Sequence, residues 1–144
     1  MASTTTTTKT DTATAVDRLL AQMRAQRTRW VELEPGTEGG QPAKRVQILR
    51  PPEAELPDLL TTTADGRHTL AVQQRHVEQY TIGWDGITEA DLIGPAGSSE
   101  PAPFATALWA AVTLDRVAWG RTVAQAILAA IVEHREAVEA DTKN

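Results

Sequence analysis

Apolar residues recur at helical spacing near the start of the chain. Ala15, Val16, Leu19, Leu20 and Met23 stand among polar neighbours, with Asp11 or Thr12 placed to cap the first turn. This pattern predicts a helix over residues 12–30. The period shortens in WVELEPGTEGGQPAKRVQILRPP, where Trp30, Leu33, Val46 and Ile48 supply alternating apolar positions and Pro35-Gly36 and Gly39-Gly40 supply a reversal. A β-hairpin over 30–52 follows, ended by Pro51-Pro52, which lack the N–H donors a ladder needs. The next stretch, EAELPDLL, reads as a loop or a short helical turn.

After the turn signal Asp65-Gly66, the segment HTLAVQQRHVEQYTI carries Leu70, Val72, Val77, Tyr80 and Ile82 and contains no breaker. It predicts a helix ending near Gly83, a residue able to take the left-handed conformation just past a helix end, with a strand over Tyr80 to Trp84 as the alternative. IGPAGSSEPAP is a loop by its Gly, Pro and Ser content. Beyond it, apolar residues dominate from Phe104 to Leu114 and from Trp119 to Val138. Val123, Ile127, Ile131 and Val138 share one helix face, and Arg121, Gln125, Glu133 and Glu136 lie off it. Thr113 to Gly120 either carries the helix through or divides it, with Asp115 available as a cap.

The elements together predict an α+β, mainly α, fold: a small N-terminal β-hairpin with a helical C-terminal half over 66–144. One domain spans 12–144, a size typical of a single core. Ahead of it, MASTTTTTKT is a low-complexity run with little to pack, so residues 1–11 are expected to be a disordered Thr-rich tail.

Composition narrows the function classes. The chain has no cysteine, which removes disulfides and thiolate metal sites and fits a reducing compartment. Neither a signal peptide nor an apolar run of about 18 residues is present, so a soluble protein without a membrane role is expected. Net charge is −5, and residues 76–144 hold four Lys/Arg against ten Asp/Glu. An acidic second half repels phosphate, which argues against nucleic-acid binding. Arg18, Arg24, Arg27 and Arg29 form one basic cluster, read as the solvated face of a helix.

Candidate chemistry is sparse. His68, His76 and His134 lack a metal-ligand spacing, so no metal or other cofactor is expected. The string DGITEAD gathers Asp85, Glu89 and Asp91, but a calcium loop needs ligands at alternate positions and a glycine sixth, whereas Gly86 is second. Asp85 is better read as capping a turn, and Glu89 and Asp91 as facing water. Ser98 and Ser99 lack a nucleophile elbow, and no phosphate loop or dinucleotide fingerprint occurs. The chain is therefore expected not to be an enzyme.

Trp30, Trp84, Trp109 and Trp119 must supply much of the aromatic packing in a chain with one Phe and one Tyr, although aromatic residues also anchor partners. Ala124, Ala129 and Ala130 leave room for a second helix to approach, so self-association through the last helix is a further expectation. Candidate partner-binding residues are Trp84, Trp109, Trp119, Ile127 and Ile131.

Three stretches carry a resemblance: RVQILRPPEAE (Arg45 to Glu55), VEQYTIGWDGITEADLIGP (Val77 to Pro95) and EPAPFATALWAAVTLDRVAWGRTVAQAILAAI (Glu100 to Ile131). They look like, in turn, a strand ending in a basic residue and proline, a central helix running into a Gly-Trp-acid-Gly-aliphatic turn, and a Pro-Phe segment before closing helices. In these parts the chain resembles the tail assembly chaperones of tailed bacteriophages. The resemblance begins at Arg45 and leaves out the N-terminal tail and first helix. It implies a non-enzymatic protein in the host cytoplasm that transiently binds the tape-measure or tail-tube protein during assembly. The alternative it leaves is a virion structural protein of the tail or head–tail connection.

Overall fold

The computed structural model describes residues 2–143, with side chains from residue 11 onward. In chain order the elements are helix α1 (Ala2–Arg27), strands β1 (Thr28–Glu34) and β2 (Lys44–Leu49), a 3-10 turn (Glu53–Leu59), strands β3 (Leu60–Thr62) and β4 (His68–Leu70), helix α2 (Gln74–Tyr80), strand β5 (Thr81–Asp85) and helices α3 (Glu89–Ile93), α4 (Thr106–Asp115) and α5 (Val117–Lys143). The fold is mixed and mainly helical.

The predicted hairpin is present, with β1 antiparallel to β2 and Val31 opposite Val46. It gains a third strand, because β5 pairs antiparallel with β2 and makes β2 the centre of the order β1-β2-β5. The helix expected to end at Gly83 therefore stops at Tyr80. Thr81 Oγ1 donates to Val77 O at 2.7 Å, satisfying one of the last carbonyls of α2. Thr81, Ile82 and Trp84 then suit a pleated surface better than a helix, and the open edge of β2 supplies their backbone partners. Gly83 is a strand residue opposite Gln47, not a left-handed terminator. A second, two-stranded sheet of β3 and β4 turns at Asp65-Gly66, so β4 falls within the stretch expected to be mainly helical, and β5 follows the strand alternative for Tyr80 to Trp84.

Alternation on the three strands decides what is buried. Val31, Val46 and Trp84 form one cross-strand row facing the helices, while Trp30, Arg45, Gln47 and Asp85 lie on the outer face. Above the inner face sit Val77, Tyr80, Trp109, Val112, Trp119, Val123, Ile127 and Ile131, which close a continuous core with Ile48, Leu59 and Ile87. The long amphipathic segment is divided at Arg116. Its backbone leaves the helical region, and its guanidinium donates to Asp91 O and lies 4.5 Å above the Trp119 ring. Arg116, rather than Asp115, fixes that junction.

Two further boundaries differ from expectation. Helix α1 ends at Arg27 rather than at residue 30, because Thr28, Arg29 and Trp30 are claimed by the ladder with β2. At its other end the helix includes Thr4 to Thr8, expected as a disordered tail. A helix already nucleated over the following residues extends one hydrogen bond per residue without a new nucleation cost, and this offsets the weak propensity of threonine.

Candidate interaction surface

The segment richest in candidate chemistry, Gly83 to Asp91, is a structural corner. Trp84 points inward, half-buried, and its Nε1 donates to Ala102 O at 2.7 Å. Its ring meets Phe104 and Trp109 edge-on, at centroid distances of 5.3 and 6.4 Å. Gly86 has φ of 78°, and a Cβ there would lie 2.1 Å from the Ala43 carbonyl oxygen, so backbone meets backbone at this point. Ile87 is buried, and its carbonyl accepts from Ala102 N at 2.9 Å.

Each carboxylate of the corner has a separate structural task. Asp85, expected to cap a turn, instead pairs with Arg45 across the outer face at 3.1 Å. Asp91, expected to face water, accepts from Thr88 N at 2.8 Å, while its own amide donates to Thr88 Oγ1 at 3.1 Å, closing a capping box on α3. Lys44 Nζ lies 3.7 Å from Asp91 and 3.1 Å from Glu34. Glu89 accepts from Ser98 Oγ at 3.3 Å. A cleft of about 570 Å³ beside Lys44, Asp85, Thr88 and Asp91 is thus lined by charged groups that already have partners in the fold.

Burial pushes the Asp91 carboxyl up, but the Thr88 amide and hydroxyl and Lys44 together outweigh it and hold the group below the usual carboxylate range. A depressed folded-state pKa stabilises the fold above the unfolded value of about 3.9, and that contribution is lost as pH falls through the folded value. Thermal stability is therefore expected to fall on acidification from about pH 5 toward pH 3, and Asp91→Asn to flatten the fall. Equal acid slopes in thermal melts of the two proteins would contradict the assignment.

The histidines do not converge. His76 is buried beneath the start of α2, where Gln73 N donates to its Nδ1 at 3.0 Å and Asp58 lies 3.3 Å from its Nε2. His134 pairs with Glu53 at 3.0 Å. Among the described residues, no group of three or more His, Asp or Glu could hold a metal ion. Among the described residues, no helix is long and apolar enough to cross a membrane.

The residues nominated as partner contacts are mostly interior. Trp109 and Ile127 are 0% exposed, Ile131 2% and Trp119 5%, so these four hold the core and are not available to a partner in this fold. Trp84 is spent on the same core through its contacts with Phe104 and Trp109. Of the small residues on α5, Ala130 is buried, Ala124 half-buried and Ala129 exposed, so that face packs largely within the molecule. An amphipathic pattern marks a buried face without saying whether the cover is the same chain or another. In α5 the cover is the chain itself.

In α1 it is not. Val16, Leu19, Leu20 and Met23 lie at i, i+3, i+4 and i+7 on one face, and all are exposed, Leu20 at 59% and Met23 at 61%. The helix is held at its C-terminal end: Arg50 N donates to Arg27 O at 2.7 Å, Arg27 Nε to Arg50 O at 2.9 Å, and Thr28 Oγ1 to Arg24 O at 2.8 Å. No loop separates α1 from β1. At α5, none of the described residues after Ile131 has a buried side chain, and Val132 and Val138 are exposed. Val138 lines a groove of about 480 Å³ with Leu56, Leu60 and Leu70 and with Glu53, Arg135 and Glu139. The periodicity that predicted α1 already contained this stripe; the missing information was that, among the described residues, no other element covers it. No family model, curated protein or solved structure matches the chain.

Proposed function

We propose that this protein is a non-enzymatic assembly chaperone of a tailed phage, acting in the host cytoplasm. It transiently covers apolar helical surface on a tape-measure or tail-tube protein while the tail is built. The resemblance from Arg45 onward supplies the family. The observation that carries the reading is the bare stripe Val16, Leu19, Leu20 and Met23 on a helix fastened to the rest of the fold at its C-terminal end. A helix of this kind gives up little on docking against another helix, because its backbone bonds are already formed.

The magnitudes suit an escort that must later leave. Completing the burial of four half-exposed side chains gains on the order of 1 kcal/mol each, against several kcal/mol for lost translational and rotational freedom. The stripe by itself therefore supplies only weak binding with rapid release.

The test is capture of the tape-measure protein, with Leu19→Glu/Leu20→Glu as the disabling variant. Recovery of the chain in stoichiometric amounts from purified particles would instead make it a virion component.

A further inference from the structure

Arg27 and Arg50 lie half-buried at the joint where α1 passes into the sheet. Backbone pairing brings them together, because Arg50 N donates to Arg27 O at 2.7 Å and so carries the β1–β2 ladder one step past Thr28 and Leu49. Their side chains are steered by carbonyls: Arg27 Nε donates to Arg50 O at 2.9 Å, and Arg50 Nη1 to Pro51 O at 3.3 Å. A guanidinium has five N–H donors, so most donors of both residues are left over. Among the described residues, neither has a carboxylate at ion-pair distance.

The surroundings do not cancel this charge. Both arginines line a cleft of about 270 Å³ together with Arg29, Glu133 and His134. Glu133 is taken by Arg29, and His134 holds Glu53, the acid that acts on Arg50 from outside the lining. Burial first and the Arg27 charge second push the Arg50 guanidinium below its ordinary value in spite of Glu53, although an arginine stays charged throughout. Three arginines against one glutamate leave the cleft a surplus of two positive charges, in a chain whose net charge is −5. Desolvated like charges without a counter-charge are costly, and a bound anion removes that cost.

From this we infer that the cleft at the root of α1 is an oxyanion site that takes a small soluble phosphate, either the free anion or the end group of a monoester, with Arg27 and Arg50 as its ligands. A phosphate monoester carries about −1.5 to −2 at neutral pH and three acceptor oxygens, which match the surplus charge and the two guanidinium forks. A carboxylate brings only half that charge. A nucleic-acid backbone is opposed by the acids that follow on α5, Glu136, Glu139 and Asp141. Bound there, the anion bridges the last turn of α1 and the residue after β2 and stabilises the folded chain by mass action. The site stands independently of the escort reading.

Calorimetric titration and thermal melts with inorganic phosphate, at an ionic strength held constant with chloride, test the site. Wild type should bind phosphate saturably at millimolar concentrations and melt at a higher temperature as the site fills, with acetate binding more weakly. Arg50→Gln keeps the backbone bond to Arg27 O but should bind phosphate at least about tenfold more weakly, and in chloride alone it should melt no lower than wild type because a like-charge contact is gone. Arg18→Gln, exposed on α1 outside the cleft, should bind as wild type does. A readout that needs no variant is the side-chain Nε–H resonances of the folded wild type, where Arg27 and Arg50 should shift with phosphate and Arg18 should not. Tighter binding of glycerol phosphate than of inorganic phosphate identifies a monoester as the ligand, and the reverse order the free anion. A wild-type chain that responds to phosphate no more than to chloride overturns the proposal, as does Arg50→Gln binding phosphate like wild type or acetate binding more tightly than phosphate. The titration contains no client protein, so its failure leaves the escort reading standing, and failure of client capture leaves the anion site standing.

Discussion

Replacing Trp109 by alanine is expected to cost about 3 to 5 kcal/mol, the range for removing a large aromatic side chain from a packed interior. The indole is fully buried, sits edge-on to Trp84 at 6.4 Å, and donates from Nε1 toward Val77 O at 3.4 Å. Removing it opens a cavity where α2, α4 and the sheet meet, and leaves the Val77 carbonyl with only the Thr81 hydroxyl as a side-chain partner. A domain of this size has roughly 5 to 15 kcal/mol in total, so much of the variant would unfold at moderate temperature. The check is the urea midpoint at unchanged slope. A midpoint within experimental error of wild type would mean that Trp109 does not hold the core.

Gly86→Ala is expected to be nearly as damaging, for a different reason. Its φ of 78° already disfavours a side chain, by about 1 to 2 kcal/mol. The added Cβ would also sit 2.1 Å from the Ala43 carbonyl oxygen, and this neighbour is backbone rather than the yielding end of a side chain. The start of β2 must move, and with it Lys44 and the Arg45–Asp85 pair, for a total on the order of 3 kcal/mol. Gly40 provides the control, since its φ is 95° but nothing lies within 4 Å of a Cβ, so Gly40→Ala should show only the conformational part. Equal melting temperatures for the two variants would remove the argument from close approach.

The differences between sequence and structure have physical causes. The hairpin of β1 and β2 was legible because Val31, Val46 and Ile48 alternate with polar residues and glycines mark the reversal. Residues 74–85 were not, because Val77 and Tyr80 share helical spacing while Thr81, Ile82 and Trp84 suit a strand. The choice of Tyr80 as the boundary came from the open edge of β2, a feature no local pattern contains. Asp91 looked solvated because its capping partner Thr88 and its neighbour Lys44 are brought together only by the corner. The candidate partner residues lie largely in the core for a related reason. Val16 to Met23 and Val123 to Ile131 are both amphipathic, but only the second is covered by its own chain.

The most direct test of the proposed role is co-expression of the chain with a tailed-phage tape-measure protein, comparing wild type with Leu19→Glu/Leu20→Glu. These two side chains are exposed on α1, so the variant should keep the wild-type melting temperature. The account predicts that the wild-type chain keeps the tape-measure protein soluble and co-purifies with it, while the variant leaves it in the pellet. Equal capture by the folded variant would contradict the assignment of the α1 stripe as the client-binding surface.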